Sequence, residues 1–117
     1  MDEYLILMRL DLITKEAQPS PEQMQVYMKM YQDWVADIAA EKKFIGGKGL
    51  STEGKVIKPN NVMTDGPYAE TKESLAGYIM ILAKDFDDAV NIAQKCPILK
   101  GAGNSVEIRK VISVHNN

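Results

Sequence analysis

Two segments of this 117-residue chain are apolar on both sides of a strand. Residues 4–10 place Tyr4, Ile6, Met8 and Leu10 on one side and Leu5, Leu7 and Arg9 on the other. Residues 75–83 place Tyr78, Met80 and Leu82 on one side and Ile79, Ile81 and Ala83 on the other. An antiparallel strand with one wet face alternates apolar and polar residues. Neither segment does so. A chain built on them must cover both faces of its sheet.

The remaining elements supply one covering layer. Ser20-Pro21-Glu22-Gln23 is a helix start, with Ser20 as cap, Pro21 in the first turn and Gln23 closing a capping box. Met24, Tyr27, Met28, Tyr31, Trp34, Val35 and Ile38 follow at helical spacing, and Lys42 and Lys43 suit the helix C-terminus. Residues 44–50 read as a glycine-laced strand, 51–55 as a turn, and 56–63 as an extended arm or small hairpin. Asp85 caps a second helix whose inner face is Phe86, Ala89, Val90, Ala93 and Cys96, and Pro97 ends it. Residues 105–114 form the last strand. The order βαββαβ predicts an α+β chain of the ferredoxin-like type, a four-stranded antiparallel sheet with both helices on one face. The whole chain, 1–117, reads as one domain.

Two helices leave the second sheet face bare. An apolar patch of that size is larger than monomers usually expose. The simplest partner layer is a second copy packed sheet against sheet, a two-fold homodimer.

Composition narrows the function classes. A formal net charge of -2 gives no electrostatic footprint for nucleic acid or an anionic membrane. No apolar run approaches the roughly 20 residues of a membrane span. The acidic start Met1-Asp2-Glu3 lacks the basic head of a signal peptide, and the single Cys96 cannot form an internal disulfide, so the expected compartment is the cytoplasm. One cysteine and one distant histidine, His115, do not make a zinc site, and no metal or cofactor is expected. Gly46, Gly47 and Gly49 precede no helix and make no dinucleotide fingerprint.

Two places concentrate ionisable side chains. In the last strand Glu107 and Arg109 alternate onto one face, and Arg9 of the first strand points the same way in a plausible register. Charges taken out of water must pair or bind something. Either they form an internal salt bridge, or an arginine is left to clamp an anionic or carbonyl-bearing small molecule. The second place is Thr64-Asp65-Gly66-Pro67-Tyr68-Ala69-Glu70-Thr71-Lys72-Glu73, leading into the third strand of the βαββαβ pattern. Asp65-Gly66-Pro67 is turn chemistry. Asp65 is then either a turn-former or an acid or base beside a cleft, with Glu70 or Lys72 as its charge partner and Tyr68 as a wall.

That segment, with Leu75-Ala76-Gly77-Tyr78 after it, closely resembles the one that names the DGPF group of YCII-related proteins, with tyrosine in place of phenylalanine. Ser20-Pro21-Glu22, Trp34, Gly46-Gly47, Gly49-Leu50 and Val106-Glu107-Ile108-Arg109 fit the same layout. The resemblance implies a dimeric α+β barrel. Some YCII-like relatives look like enzymes with a histidine-aspartate pair in the cleft. This chain departs from that pattern, because its only histidine, His115, lies in the C-terminal tail. Asp65 is the position carried over as the acidic site residue.

Two function classes stand. One is a protein that binds or transforms a small molecule in a cleft at the dimeric sheet face, using Asp65, Arg9, Arg109 and Tyr68. The other is a non-catalytic interaction or regulatory accessory protein. Members of the resembled family look like occasional companions of sigma-factor regulators.

Overall fold

The computed structural model describes residues 1–11, 18–66 and 74–112, with 64–66 described by backbone pairing alone. The elements are β1 (Asp2–Leu10), α1 (Pro21–Ala40), β2 (Phe44–Gly49), β3 (Gly54–Lys58), β4 (Val62–Gly66), β5 (Ser74–Ala83), α2 (Phe86–Ala93) and β6 (Ser105–Lys110). Short 3-10 turns lie at Pro59–Asn61 and Pro97–Lys100.

One sheet has the order β2-β5-β1-β6, with every pair antiparallel. The two doubly apolar strands, β1 and β5, are therefore its centre. This is α+β architecture with ferredoxin-like topology, into which a separate ribbon, β3 paired with β4, is inserted between β2 and β5. The ribbon occupies the region read as an arm or hairpin. Its turn holds Asn60 and Asn61 at φ 70° and 63°, left-handed values that asparagine tolerates better than most residues.

Asp65 and Gly66 are in a strand and not in the turn their composition suggests, and Pro67 lies outside the described residues. Asp65 pairs with Lys55 and Gly66 with Gly54, so both belong to β4. Pro67 explains the difference, because a proline pushes the residue before it toward extended backbone. Gly54 is already paired, so the turn expected over 51–55 is correspondingly shorter.

The helix-facing side of the sheet carries the core. Tyr4, Ile6, Met8, Ile79, Ile81 and Ala83 are buried with Trp34 and Ile38 of α1, Ala89 and Ala93 of α2, and Cys96. Trp34 Nε1 donates to the Ile92 carbonyl at 3.0 Å, tying the two helices together. Phe86 is 46% exposed yet meets the Tyr4 ring edge-on at 5.2 Å.

The capping box of α1 forms as its sequence predicts: Ser20 Oγ accepts from Gln23 N–H at 3.2 Å, and Ser20 N–H donates to Gln23 Oε1 at 2.9 Å. The apolar stripe of α1 is buried only in its second half. Met24 and Met28 are 45% and 49% exposed. A 20-residue helix is about 30 Å long, whereas β2 and β6, six residues each, run about 20 Å. The helix overruns the shorter outer strands. Its C-terminus also differs from expectation. No basic residue lies in the last turn, Lys42 is left-handed at φ 61°, and Lys43 reaches Asp88 at 3.2 Å instead of the helix carbonyls.

Asp88, partly exposed, anchors the start of α2. Its carboxylate accepts from Lys84 N–H at 2.9 Å and from the Lys43 ammonium, which together hold it below the ordinary aspartate value against the opposing effect of burial. A carboxyl depressed in the folded state stabilises above its unfolded pKa, and the contribution is lost as pH falls through the folded value. Asp88→Asn is therefore less stable than the parent at pH 7. The gap should close below about pH 4, as read from urea midpoints across a pH series.

Glycine has a different use at two neighbouring positions of β2. A Cβ on Gly47 would stand 2.5 Å from the Tyr78 carbonyl and 2.7 Å from Ile79 Cγ2, whereas one on Gly46 would meet nothing within 4 Å. Gly47→Ala is expected to cost about 1–3 kcal/mol by forcing β2 off β5. Gly46→Ala should stay within about 0.5 kcal/mol, both measured by urea unfolding.

Candidate functional site

The opposite face of the sheet is built from the other half of the same strands. Leu5 pairs with Met80, Leu7 with Tyr78, and Glu3 with Leu82. Leu5, Leu7, Tyr78, Met80 and Leu82 are each only half-buried, while their neighbours on the helix side are buried. Both helices lie on the other side. No described segment of the chain packs over this face.

β6 brings the charges to it. Antiparallel pairing sets Leu5 beside Arg109, Leu7 beside Glu107 and Arg9 beside Ser105. Arg9, Glu107 and Arg109 therefore share the open face at the flank of the apolar strip. Arg9 donates from Nη2 to Glu107 Oε1 at 3.4 Å, and Arg109 Nη1 stands 3.5 Å from Glu107 Oε2. Each carboxylate oxygen thus faces one guanidinium. The side chains are 30%, 41% and 68% exposed for Arg9, Glu107 and Arg109.

Lys48 joins the face from the other flank, and strand alternation hides it. Phe44 packs on the helix-side core, so strict alternation would turn Gly46 and Lys48 inward with it. The register shifts between Phe44 and Gly46, leaving Gly46 opposite Met80 and Lys48 opposite Tyr78 on the open side. A bulge inserts one residue and reverses the alternation beyond it. A glycine-rich strand start was the only available signal.

The second charged cluster stands differently. Asp65 lies in β4 opposite Lys55. Tyr68, Glu70, Lys72, Glu73 and His115 lie outside the described residues. The remaining titratable groups offer little chemistry. The Cys96 thiol is buried and pushed up by that burial, which suits an inert core thiol. A cleft of about 210 Å³ between α1 and α2 is lined by Trp34, Asp37, Glu41, Asp88 and Lys95 among others, but it belongs to the helix layer and not to the opposite sheet face. No group of three or more metal-ligating side chains occurs among the described residues. No helix among them is long and apolar enough to cross a membrane.

Strand order and the single helical layer define an α+β sandwich of ferredoxin-like topology, with a second, apolar sheet face that neither helix covers. The family model for the YCII-related domain matches residues 8–114. The chain belongs to the YCII-related family. No curated protein sequence matches it. Among solved structures it is similar to a 5-chloro-2-hydroxyhydroquinone dehydrochlorinase from Burkholderia phenoliruptrix in complex with 2,5-dihydroxybenzoquinone, at 16% identity, 90% coverage of both chains and a TM-score of 0.47.

The ion contacts of Glu107 are long and partly solvated, so they contribute little to folding. Glu107→Gln is expected to change the unfolding free energy by less than about 1 kcal/mol, as measured by urea denaturation.

Proposed function

We propose that this protein binds or transforms a small molecule in a chamber enclosed when two copies pack open face to open face. The observation that carries the reading is the strip Leu5, Leu7, Tyr78, Met80 and Leu82 on the two central strands, uncovered by any described segment. Burying apolar surface is worth roughly 25 cal/mol per Å², so several hundred Å² give a gross term of order 10 kcal/mol, partly offset by association costs. A second copy is the occupant that needs no further component. Under two-fold symmetry the same apolar strip meets itself.

Packing of twisted sheets also explains why a chamber would remain. Face-to-face sheets lie about 10 Å apart with strands rotated by about 30°, so their corners diverge. The flank strand β6, bearing Glu107 and Arg109, lies at such a corner. In this reading Arg9 and Arg109 hold an anionic or carbonyl-bearing ligand. Asp65 is the acid or base that the entry to β5 would bring alongside, with Glu70 or Lys72 as its charge partner and Tyr68 as a wall.

One observation favours the alternative of an interaction or regulatory accessory protein, with sigma-factor regulation as its named instance. Met24, Val26 and Met28 on α1 and Ile57 and Met63 on the β3-β4 ribbon are exposed apolar side chains outside the four-stranded sheet. They suit macromolecular contact better than small-molecule binding.

Sedimentation equilibrium discriminates. The chamber reading requires a dimer of twice the 13.0 kDa chain mass at micromolar concentration. Leu7→Lys should give a monomer with an unchanged far-ultraviolet circular dichroism spectrum. A monomeric parent protein would refute the chamber.

A further inference from the structure

We propose that Arg9, Glu107 and Arg109 form a binding site for the carboxylate of a small, apolar-bodied monoanion, with Arg109 as the principal donor. This rests on the chamber reading and names its ligand class.

The geometry is that of a partly filled site. Charge-assisted N–H···O bonds run at about 2.7–2.9 Å, and arginine pairs with carboxylates through two parallel bonds when it can. Here the contacts are 3.4 and 3.5 Å, one to each arginine, and neither is bidentate. A guanidinium carries five N–H donors. Among the described residues, Glu107 engages one nitrogen of each arginine and leaves the other donors of both forks without a partner. Arg109 is the more weakly held, since its side chain is 68% exposed.

Charge sets the ligand's sign and valence. Two guanidinium groups and one carboxylate sum to +1, and arginine does not relieve the excess by losing a proton. Lys48 on the other flank adds positive charge to the face. Glu3, at the exposed start of β1, is the other carboxylate that the strand register puts on this side, and it makes no ion pair among the described residues. Covering the face with a second apolar face removes the water that solvates the surplus cation. A buried unpaired charge is costly, so a counter-anion is required. One negative charge balances the triad, and two overshoot it.

The neighbours set the body of the ligand. Leu5 lies beside Arg109 and Leu7 beside Glu107 on β1, with Met80 and Tyr78 next across on β5. A carboxylate held on β6 therefore projects its body over two strand spacings, about 10 Å, of leucine, methionine and tyrosine. A single ring or short branched chain fits that strip. Inorganic phosphate offers no apolar body and carries more charge than the triad balances.

Isothermal titration with benzoate, benzamide and inorganic phosphate on the intact protein tests the site, alongside sedimentation of the same samples. Benzoate should bind at least about tenfold more tightly than neutral benzamide, the discrimination expected of a charge-assisted contact. Phosphate should compete weakly. Arg109→Ala should weaken benzoate by about tenfold or more while benzamide is unmoved. Glu107→Gln should strengthen benzoate several-fold, because it removes the internal carboxylate that competes for both arginines. A purely structural ion pair would show no such gain. A dimer that treats benzoate and benzamide alike, that ignores Arg109→Ala, or that loses benzoate on Glu107→Gln overturns the site and leaves the chamber standing. A monomer overturns the chamber, and the site that depends on its enclosure falls with it, whatever the benzoate preference.

Discussion

The pairing of β1 with β5 is the contact on which everything else rests. It brings together two strands that are apolar on both sides, each with a side-chain period of two. One set of side chains, Tyr4, Ile6, Met8, Ile79, Ile81 and Ala83, disappears beneath α1 and α2. The other set, Leu5, Leu7, Tyr78, Met80 and Leu82, cannot, because both helices are already spent on the first side. A one-residue slip of this pairing would exchange the two sets, so its register is held by the core and not by the open face.

Local devices then aim the pieces at that sheet. The capping box at Ser20 and Gln23 starts α1 where its apolar stripe can reach the sheet with Trp34 and Ile38. Trp34 ties α1 to α2 through the Ile92 carbonyl, and Lys43 ties the exit of α1 to Asp88 at the start of α2. Gly47 lets β2 approach β5 more closely than any side chain would permit. These contacts lie on the helix side of the sheet or within it, and β6 lays Glu107 and Arg109 along the flank of the other face beside Arg9. The arginine pair is thus a product of strand register, and its chemistry depends on whatever comes to cover the sheet.

Much of the fold is legible in the residues. The order of elements, the caps at Ser20 and Asp85 and the two-faced strands all follow from local chemistry and periodicity, whereas α2 ends at Ala93, ahead of Pro97, which opens a 3-10 turn. The family follows from residues spread over most of the chain, and the match over 8–114 agrees. Local chemistry was less informative where two rules competed. Asp65-Gly66 carries turn residues, yet the following proline and pairing with Gly54 and Lys55 draw it into a strand. The stripe from Met24 to Ile38 marks a helix face but not how much sheet lies beneath it.

The sequence by itself determined which side chains share a face, because periodicity along a strand or helix is a property of the backbone. It also marked a second apolar face of the sheet, which the two helices among the described residues do not cover. Tertiary structure alone decided which charges meet. Glu107 faces Arg9 across 98 positions of chain, and Lys48 reaches the open side through a bulge that alternation conceals. Such meetings depend on register between strands distant in sequence, and register is fixed by the summed packing of the core, not by any residue's own preference.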